Sequence, residues 1–203
     1  MEVENNEDFS RSQLGFTTEV LSNFRFLITD YGFECVKANT TLVRYESESL
    51  FVNIYHGRRS YELNFEIGEL ERSLNVQENG YTIGEIMDLY EVRNNLKFTF
   101  FQASNKDQTQ KLIQKLSEYI KTYAKPILAG NHEIFGKLQM LRKKKSDALI
   151  KDIHLTKVRE IADIAWKEKD YPKIVEVYES IKDDLTSIEL KKLTYAIKQL
   201  LIN

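Results

Sequence analysis

The stretch YELNFEIG, residues Tyr61 to Gly68, alternates apolar and polar side chains without interruption. Successive side chains of a β-strand point to opposite faces of the sheet, so this period of two predicts a strand. One face would be buried and the other wet, which is typical of an antiparallel sheet. The apolar face would carry Tyr61, Leu63, Phe65 and Ile67.

Three further β-prone runs precede this stretch, at Phe33 to Lys37, Thr41 to Glu46 and Ser49 to His56. The connections between them are short, and Gly57 to Ser60 has the composition of a hairpin loop. Short connections cannot join parallel strands. We therefore predict an antiparallel meander of about four to five strands, with a further strand or extended lead-in at Leu96 to Phe101.

Helical periodicity flanks the predicted sheet. Apolar residues recur at three- and four-residue steps from Phe16 to Tyr31, and Gly32 follows as a left-handed helix end. Thr82 with Glu85 forms a capping box that opens a short helix. The apolar stripe within Lys106 to Ala124 predicts a longer helix, with Pro126 just after its end.

No strand pattern appears after Pro126. The sequence predicts a helix from about residue 132 that ends in the basic run Arg142 to Lys145, with a continuation through Leu149 to Ile153 as the alternative, and another helix from about Thr156. Asp170 and Thr186 are predicted to cap the last two helices. The predicted fold class is therefore α+β: residues 1–125 form a helix, an antiparallel sheet and a helix, and residues 126–203 form a helical region. The two parts can also share one core.

Composition narrows the functional classes. The chain has 203 residues, a formal net charge of −2 and a single cysteine. The charge argues against a general nucleic-acid binder, and one cysteine cannot form an internal disulfide. The acidic N-terminus lacks a signal-peptide pattern, and no apolar run reaches the ~20 residues of a membrane span. We expect a cytoplasmic protein without a membrane partner.

The segment from Ala162 to Ile181 resembles one helix-turn-helix unit of the tetratricopeptide type. It has small residues at Ala162 and Ala165, and an aromatic residue at Tyr171 after the turn. It lacks the Leu-Gly pair and the terminal proline of that repeat, and a second copy is missing. A single unit cannot bury its face by stacking on neighbours. We therefore expect a local helical hairpin, with a peptide-binding groove as the alternative.

The whole chain resembles uncharacterised bacterial proteins, among them small immunity partners of polymorphic toxins. The resemblance rests on Tyr31 to Phe33, Val43 to Ser47, Arg59 to Leu63 and the closing region Tyr171 to Ala196. It implies a non-enzymatic protein that binds a toxin.

Residues that usually carry catalysis are few. His56 lies beside a hairpin loop, His154 precedes a helix start, and His132 has no second histidine at the zinc-protease spacing. We interpret all three as surface or helix-capping histidines. Cys35 alternates in phase with Phe33, which favours a buried small hydrophobic residue over a nucleophile. We predict no catalytic, metal or cofactor-binding residue, and no cofactor.

Charge patterning is more informative. Residues 61–91 contain eight acidic residues and one basic residue, whereas residues 137–145 contain five basic residues and no acidic one. These clusters can be solvated faces or can contact each other. Alternatively, the acidic cluster binds a basic partner, or the basic run contacts phosphate, with Arg44, Arg58 and Arg59 as further candidates. The candidate partner-binding residues are Glu62, Glu66, Glu69 and Glu71, and the candidate phosphate contacts are Arg142, Lys143, Lys144 and Lys145.

The sequence thus favours a non-enzymatic protein-interaction module, with a bacterial toxin as the most concrete partner. The alternative is a nucleic-acid-associated or regulatory protein that uses residues 142–145.

Overall fold

The computed structural model describes residues 11–70, 79–96 and 98–202. It confirms an α+β fold in which helices flank an antiparallel sheet and a helical region follows. Contacts divide the chain into two compact units, residues 1–141 and residues 142–203.

The sheet has six strands in the described residues, and its spatial order is β1-β2-β3-β4-β5, with β6 also pairing with β4. All pairings are antiparallel, so the predicted meander is confirmed. The predicted strand at Leu96 to Phe101 is reduced to the two residues of β6, beside Glu62 and Leu63. The strands are β1 (Glu34–Ala38), β2 (Leu42–Glu46), β3 (Leu50–His56), β4 (Glu62–Glu69), β5 (Tyr81–Thr82) and β6 (Phe101–Gln102).

The predicted buried face of β4 is correct for Leu63, Phe65 and Ile67, but wrong for Tyr61. Tyr61 precedes the strand with a positive φ of 54° and is exposed. Its N–H donates to the carbonyl of Gly57, so the residue closes the hairpin loop instead of entering the sheet.

The first predicted helix is two helices, α1 (Phe16–Asn23) and α2 (Arg25–Tyr31). Phe24 and Phe26 are both buried, and two residues two positions apart lie on opposite sides of a continuous helix. The break at Phe24 lets both rings enter the core. Gly32 ends α2 with φ of 70°, the predicted left-handed conformation.

Three further helices of the first unit are α3 (Ile83–Leu89), α4 (Lys106–Tyr119) and α5 (Lys125–Leu128). Thr82 and Glu85 form the predicted capping box of α3. Helix α4 passes through a π-helical turn, Ile120–Ala124, directly into α5. Pro126 therefore lies in the first turn of α5, where proline is common, and does not follow a helix end.

The core of the first unit lies between one sheet face and these helices, and it includes residues from the start of the next helix. Because Ile127, Ile134 and Leu138 belong to this core, the compact unit extends beyond the predicted boundary at 125/126. The largest fully buried side chains of this core are Tyr45, Phe16, Phe24, Phe33, Phe65, Leu27, Ile54, Ile67, Ile83 and Ile86.

A single helix, α6 (Glu133–Glu168), replaces the two helices predicted between residues 132 and 168. The prediction that a helix ends at Arg142 to Lys145 was wrong, and the alternative that Leu149 to Ile153 continue it is confirmed. Lysine and arginine are good helix formers, and neither glycine nor proline occurs between residues 137 and 171.

In the second unit the C-terminal part of α6 packs with α7 (Tyr171–Glu179) and α8 (Ser187–Ile202). The predicted caps are confirmed: Asp170 accepts from the N–H of Lys173, and Thr186 and Glu189 bond reciprocally. A 3₁₀ turn, Lys182–Asp184, joins the last two helices. The buried core consists of Val158, Ala162, Ala165, Ile174, Val177, Tyr178, Ile181, Leu193 and Ala196.

Candidate partner-binding surfaces

The polar face of the sheet carries a continuous hydrogen-bonded chain across β4, β3 and β2. The Tyr55 hydroxyl donates to Glu66 at 2.8 Å, and the Asn53 amide donates to the Tyr55 oxygen at 2.9 Å. Arg44 contacts the Asn53 oxygen and pairs with Glu46. Burial, followed by the bond to Glu66, raises the pKa of Tyr55 to about 12. This network fixes its side chains and offers no free nucleophile or base.

The four predicted acidic residues do not share one exposed face. Glu62 and Glu66 are half-buried on the polar face of β4, and Glu66 is held by Tyr55. Glu69 lies out of phase with them and bonds to His132, with 2.9 Å between Oε1 and Nδ1. Glu71 lies outside the described residues. A partner-binding role for this set stays a prediction.

A different acidic group lies at the open edge of the sheet. Among the described residues β1 pairs only with β2, and all five of its residues are exposed. Glu34 stands directly opposite Glu46 in the register of the two strands, and Glu48 follows in the adjoining turn. These carboxylates surround an open groove of about 330 Å³. The groove is lined by Gly32, Glu34, Val36, Glu46, Ser47 and Glu48.

Charge counting along the sequence missed this acidic groove, because its members are separated in the chain and have Lys37 and Arg44 between them. The signal was the register: two runs joined by a short turn, with a glutamate at the far end of each. Pairing Ala38 with Val43 across that turn and counting on without interruption would put Glu34 opposite Ser47. The bulge between Cys35 and Lys37 shifts the register by one residue and brings Glu34 opposite Glu46.

The candidate phosphate contacts Arg142 to Lys145 lie on α6, and Lys143 and Lys144 are exposed. An α-helix turns by about 100° per residue, so four consecutive side chains point to different sides of it. They cannot all face one phosphate backbone. Asp147 follows three positions after Lys144 and puts a carboxylate on its side of the helix. Phosphate binding by this run stays a prediction.

The interpretation of His56 as a surface or capping residue was wrong. The side chain is buried, stacks on Phe16 and lies 2.9 Å from the Ala103 carbonyl through Nε2. A carbonyl only accepts, so Nε2 carries the proton and Nδ1 faces the Arg11 guanidinium at 3.5 Å. His132 and His154 are exposed, as predicted.

Acidification should weaken the fold through His56. Burial, together with the nearby Arg11 charge, lowers the pKa of His56 below its ordinary 6.5. Between 6.5 and the folded pKa, only the unfolded chain binds the proton, so stability is present above 6.5 and is lost as pH falls. The slope contributed by this group cannot exceed about 1.4 kcal/mol per pH unit. Urea unfolding of the wild type and of His56→Gln from about pH 7 to 5.5 measures it. The variant should give the flatter profile, and equal slopes would contradict this assignment.

Cys35 is exposed, so the expectation that it is buried was wrong. Cys35 stands opposite the buried Tyr45 and so keeps the phase of the core face, but β1 lies at the edge of the sheet and all five of its residues are exposed. The described residues contain no group of three or more His, Cys, Asp or Glu side chains arranged to hold a metal ion. Within the same ranges, no helix has the length and apolar content that crossing a bilayer requires.

Comparison of the chain with protein-family models, with curated proteins and with solved structures finds no match.

Proposed function

We propose that this protein is a non-enzymatic binding module that takes an extended basic segment of a partner protein along the open edge of β1. The observation that carries the proposal is the acidic groove beside an exposed strand that has no second neighbour among the described residues. An edge strand offers backbone N–H and C=O groups to an added strand, and pockets beside it select the side chains.

The charges argue for a basic occupant. Like charges directly opposite each other on neighbouring strands destabilise a sheet, and Glu34 faces Glu46 in this way. Arg44 lies beside Glu46 and neutralises one carboxylate of the pair. Glu34 and Glu48 keep the groove negatively charged, and a lysine or arginine from a partner would offset that charge. Val36, which is 51% exposed beside these carboxylates, supplies an apolar contact for the stem of that side chain.

Two features limit how such a segment binds. The bulge between Cys35 and Lys37 interrupts regular pairing, and Lys37 is a charge of the kind that protects edge strands from non-specific pairing. Recognition would therefore concentrate at the Glu34 end of β1, and the partner's charge would matter more than the length of the added strand.

The most concrete version of the proposal is a bacterial immunity protein that acts in the cytoplasm and binds a basic toxin, such as a nuclease. The resemblance in sequence supports this version. An acidic protein surface that covers the basic substrate-binding face of a nuclease would block it by charge complementarity.

A lysine–valine alternating peptide of about eight residues, the usual upper range of strand lengths, serves as the probe. Fluorescence anisotropy should detect its binding at low salt, and weaker binding as salt screens the charges. Glu34→Lys should weaken it by at least about fivefold, because reversing one contact changes the binding free energy by about 1 kcal/mol.

Glu118→Lys is the matched control, since it makes the same charge change at an exposed position of α4. It should leave peptide binding nearly unchanged. A glutamate–valine peptide of equal length should not bind. No binding of the lysine peptide at low salt, or equal losses in both variants, would overturn the proposed function.

The exposure of Lys143 and Lys144 supports one alternative, contact with nucleic acid. That role requires a salt-dependent gel shift of DNA or RNA that is lost when residues 143–145 are all changed to glutamate. A shift of this kind, together with no peptide binding, would favour the alternative.

A further inference from the structure

The second unit exposes a stripe of aliphatic side chains along α6, about 100° around the helix from the side that faces its own core. Ile150, Ile153, Ile161 and Ile164 are between 43% and 63% exposed. The core residues Val158, Ala162 and Ala165 of the same helix are buried. At about 100° per residue, the four isoleucines lie within about 40° of the direction of Lys157. The helix is therefore apolar on two sides, and only one of them is covered within the unit.

The spacing of this isoleucine stripe is symmetric. Ile153 and Ile161 lie four residues before and after Lys157, and Ile150 and Ile164 lie seven residues before and after it. Steps of three and four residues keep side chains on one helix face, as in paired helices. The stripe has the same pattern in either direction along the helix.

We propose that this stripe is a homodimer interface in which α6 pairs antiparallel with α6 of a second copy, with the two-fold axis at Lys157. A two-fold interface uses the same patch on both copies, so it must be complementary to itself. An antiparallel pair centred on residue 157 places Ile153 level with Ile161 of the second copy, and Ile150 level with Ile164. No other centre along the stripe pairs all four isoleucines.

Lys157 limits the affinity of this dimer. Its two copies meet near the axis, where the long stems cover apolar surface and the ammonium groups reach solvent. Glu160, exposed and three residues further along α6, supplies a carboxylate near each ammonium. A polar residue in the seam of paired helices costs stability and fixes how they align. The dimer should thus be weak and of defined register. This inference is independent of the acidic groove.

Sedimentation velocity from about 1 to about 300 µM tests the dimer, since small interfaces associate weakly. The wild type should shift from monomer towards dimer. Ile153→Asp should stay monomeric throughout, whereas Lys157→Ile should lower the dimer Kd by at least about tenfold. Ile188→Asp is the matched control, because it changes another exposed aliphatic residue, on α8. It should dimerise like the wild type. Far-ultraviolet circular dichroism verifies that the variants stay folded.

Disulfide trapping tests the register, in a Cys35→Ser background. Lys157→Cys should cross-link to its own copy, because residue 157 lies on the axis. Ile150→Cys should not cross-link to its own copy. Position 150 of one copy lies level with Ile164 of the other, and 14 residues along the helix put the two copies of position 150 about 21 Å apart. A disulfide requires the two Cα atoms to lie within about 7 Å of each other. A monomer at every concentration, or self-cross-linking at position 150, would overturn the proposal.

Discussion

Replacing Arg11 by methionine should lower the free energy of unfolding by about 3 kcal/mol, because several charge-assisted hydrogen bonds to buried or partly buried carbonyls would be lost together. The Arg11 guanidinium donates to the carbonyls of His56, Gly57 and Arg58 at 3.1, 2.9 and 2.7 Å. It thereby joins the start of the described chain to the hairpin loop between β3 and β4. Methionine fills similar space but donates no hydrogen bond, so these oxygens would lose their partner.

Arg59→Met is the control for this change. Arg59 lies in the same loop but is exposed, and exposed substitutions of this kind usually alter stability by less than about 0.5 kcal/mol. Urea denaturation of both variants gives the comparison. A loss below about 1 kcal/mol for Arg11→Met, or equal losses for the two, would show that the guanidinium does not hold the loop.

Replacing Gly68 by alanine should cost about 2–3 kcal/mol, since overpacking of a buried site typically costs 1–3 kcal/mol and here the nearest atom is backbone. A Cβ at position 68 would lie 2.4 Å from the Asn79 carbonyl oxygen and 2.7 Å from the Phe51 ring. Phe51 is buried, with Arg44 against its ring on the polar side of the sheet, so it has little room to move away.

Gly136→Ala should change the stability of the chain in the opposite direction. Gly136 is an exposed residue of α6, and an added Cβ would meet nothing within 4 Å. Alanine in a helix is favoured over glycine by up to about 1 kcal/mol, so this variant should be more stable than the wild type. Thermal unfolding of the two variants should therefore shift in opposite directions. A tolerated Gly68→Ala would mean that the segment at Asn79 can retreat from β4.

The sheet was predictable because its information is local. Period-two patterning located the first four strands within a residue or two, and the turn composition identified their connections. The helix caps at Thr82, Asp170 and Thr186 were predictable for the same reason, since a cap depends on residues within four positions of each other. The length of α6 was missed because a run of lysines was taken as a helix end, although nothing in it breaks a helix.

The candidate sites were less predictable, because they depend on contacts between distant residues. Arg11 meets His56 across 45 residues, and no sequence pattern links the two. His56 did carry a signal: it continues the alternation of Leu50, Val52 and Ile54, whose side chains form the core face of β3. The Glu34–Glu46 pair required the register of two strands, which alternation alone does not give.

Hydrogen exchange is the most direct test of partner binding at the edge of β1. Amide exchange is followed by NMR, with and without a saturating concentration of the lysine–valine peptide. The bound peptide should slow amides within Glu34–Ala38, because some of them would gain a backbone acceptor, and should leave those in Ser187–Ile202 unchanged. Unchanged exchange throughout β1, with slowing at any other strand or at a helix, would contradict binding at this edge.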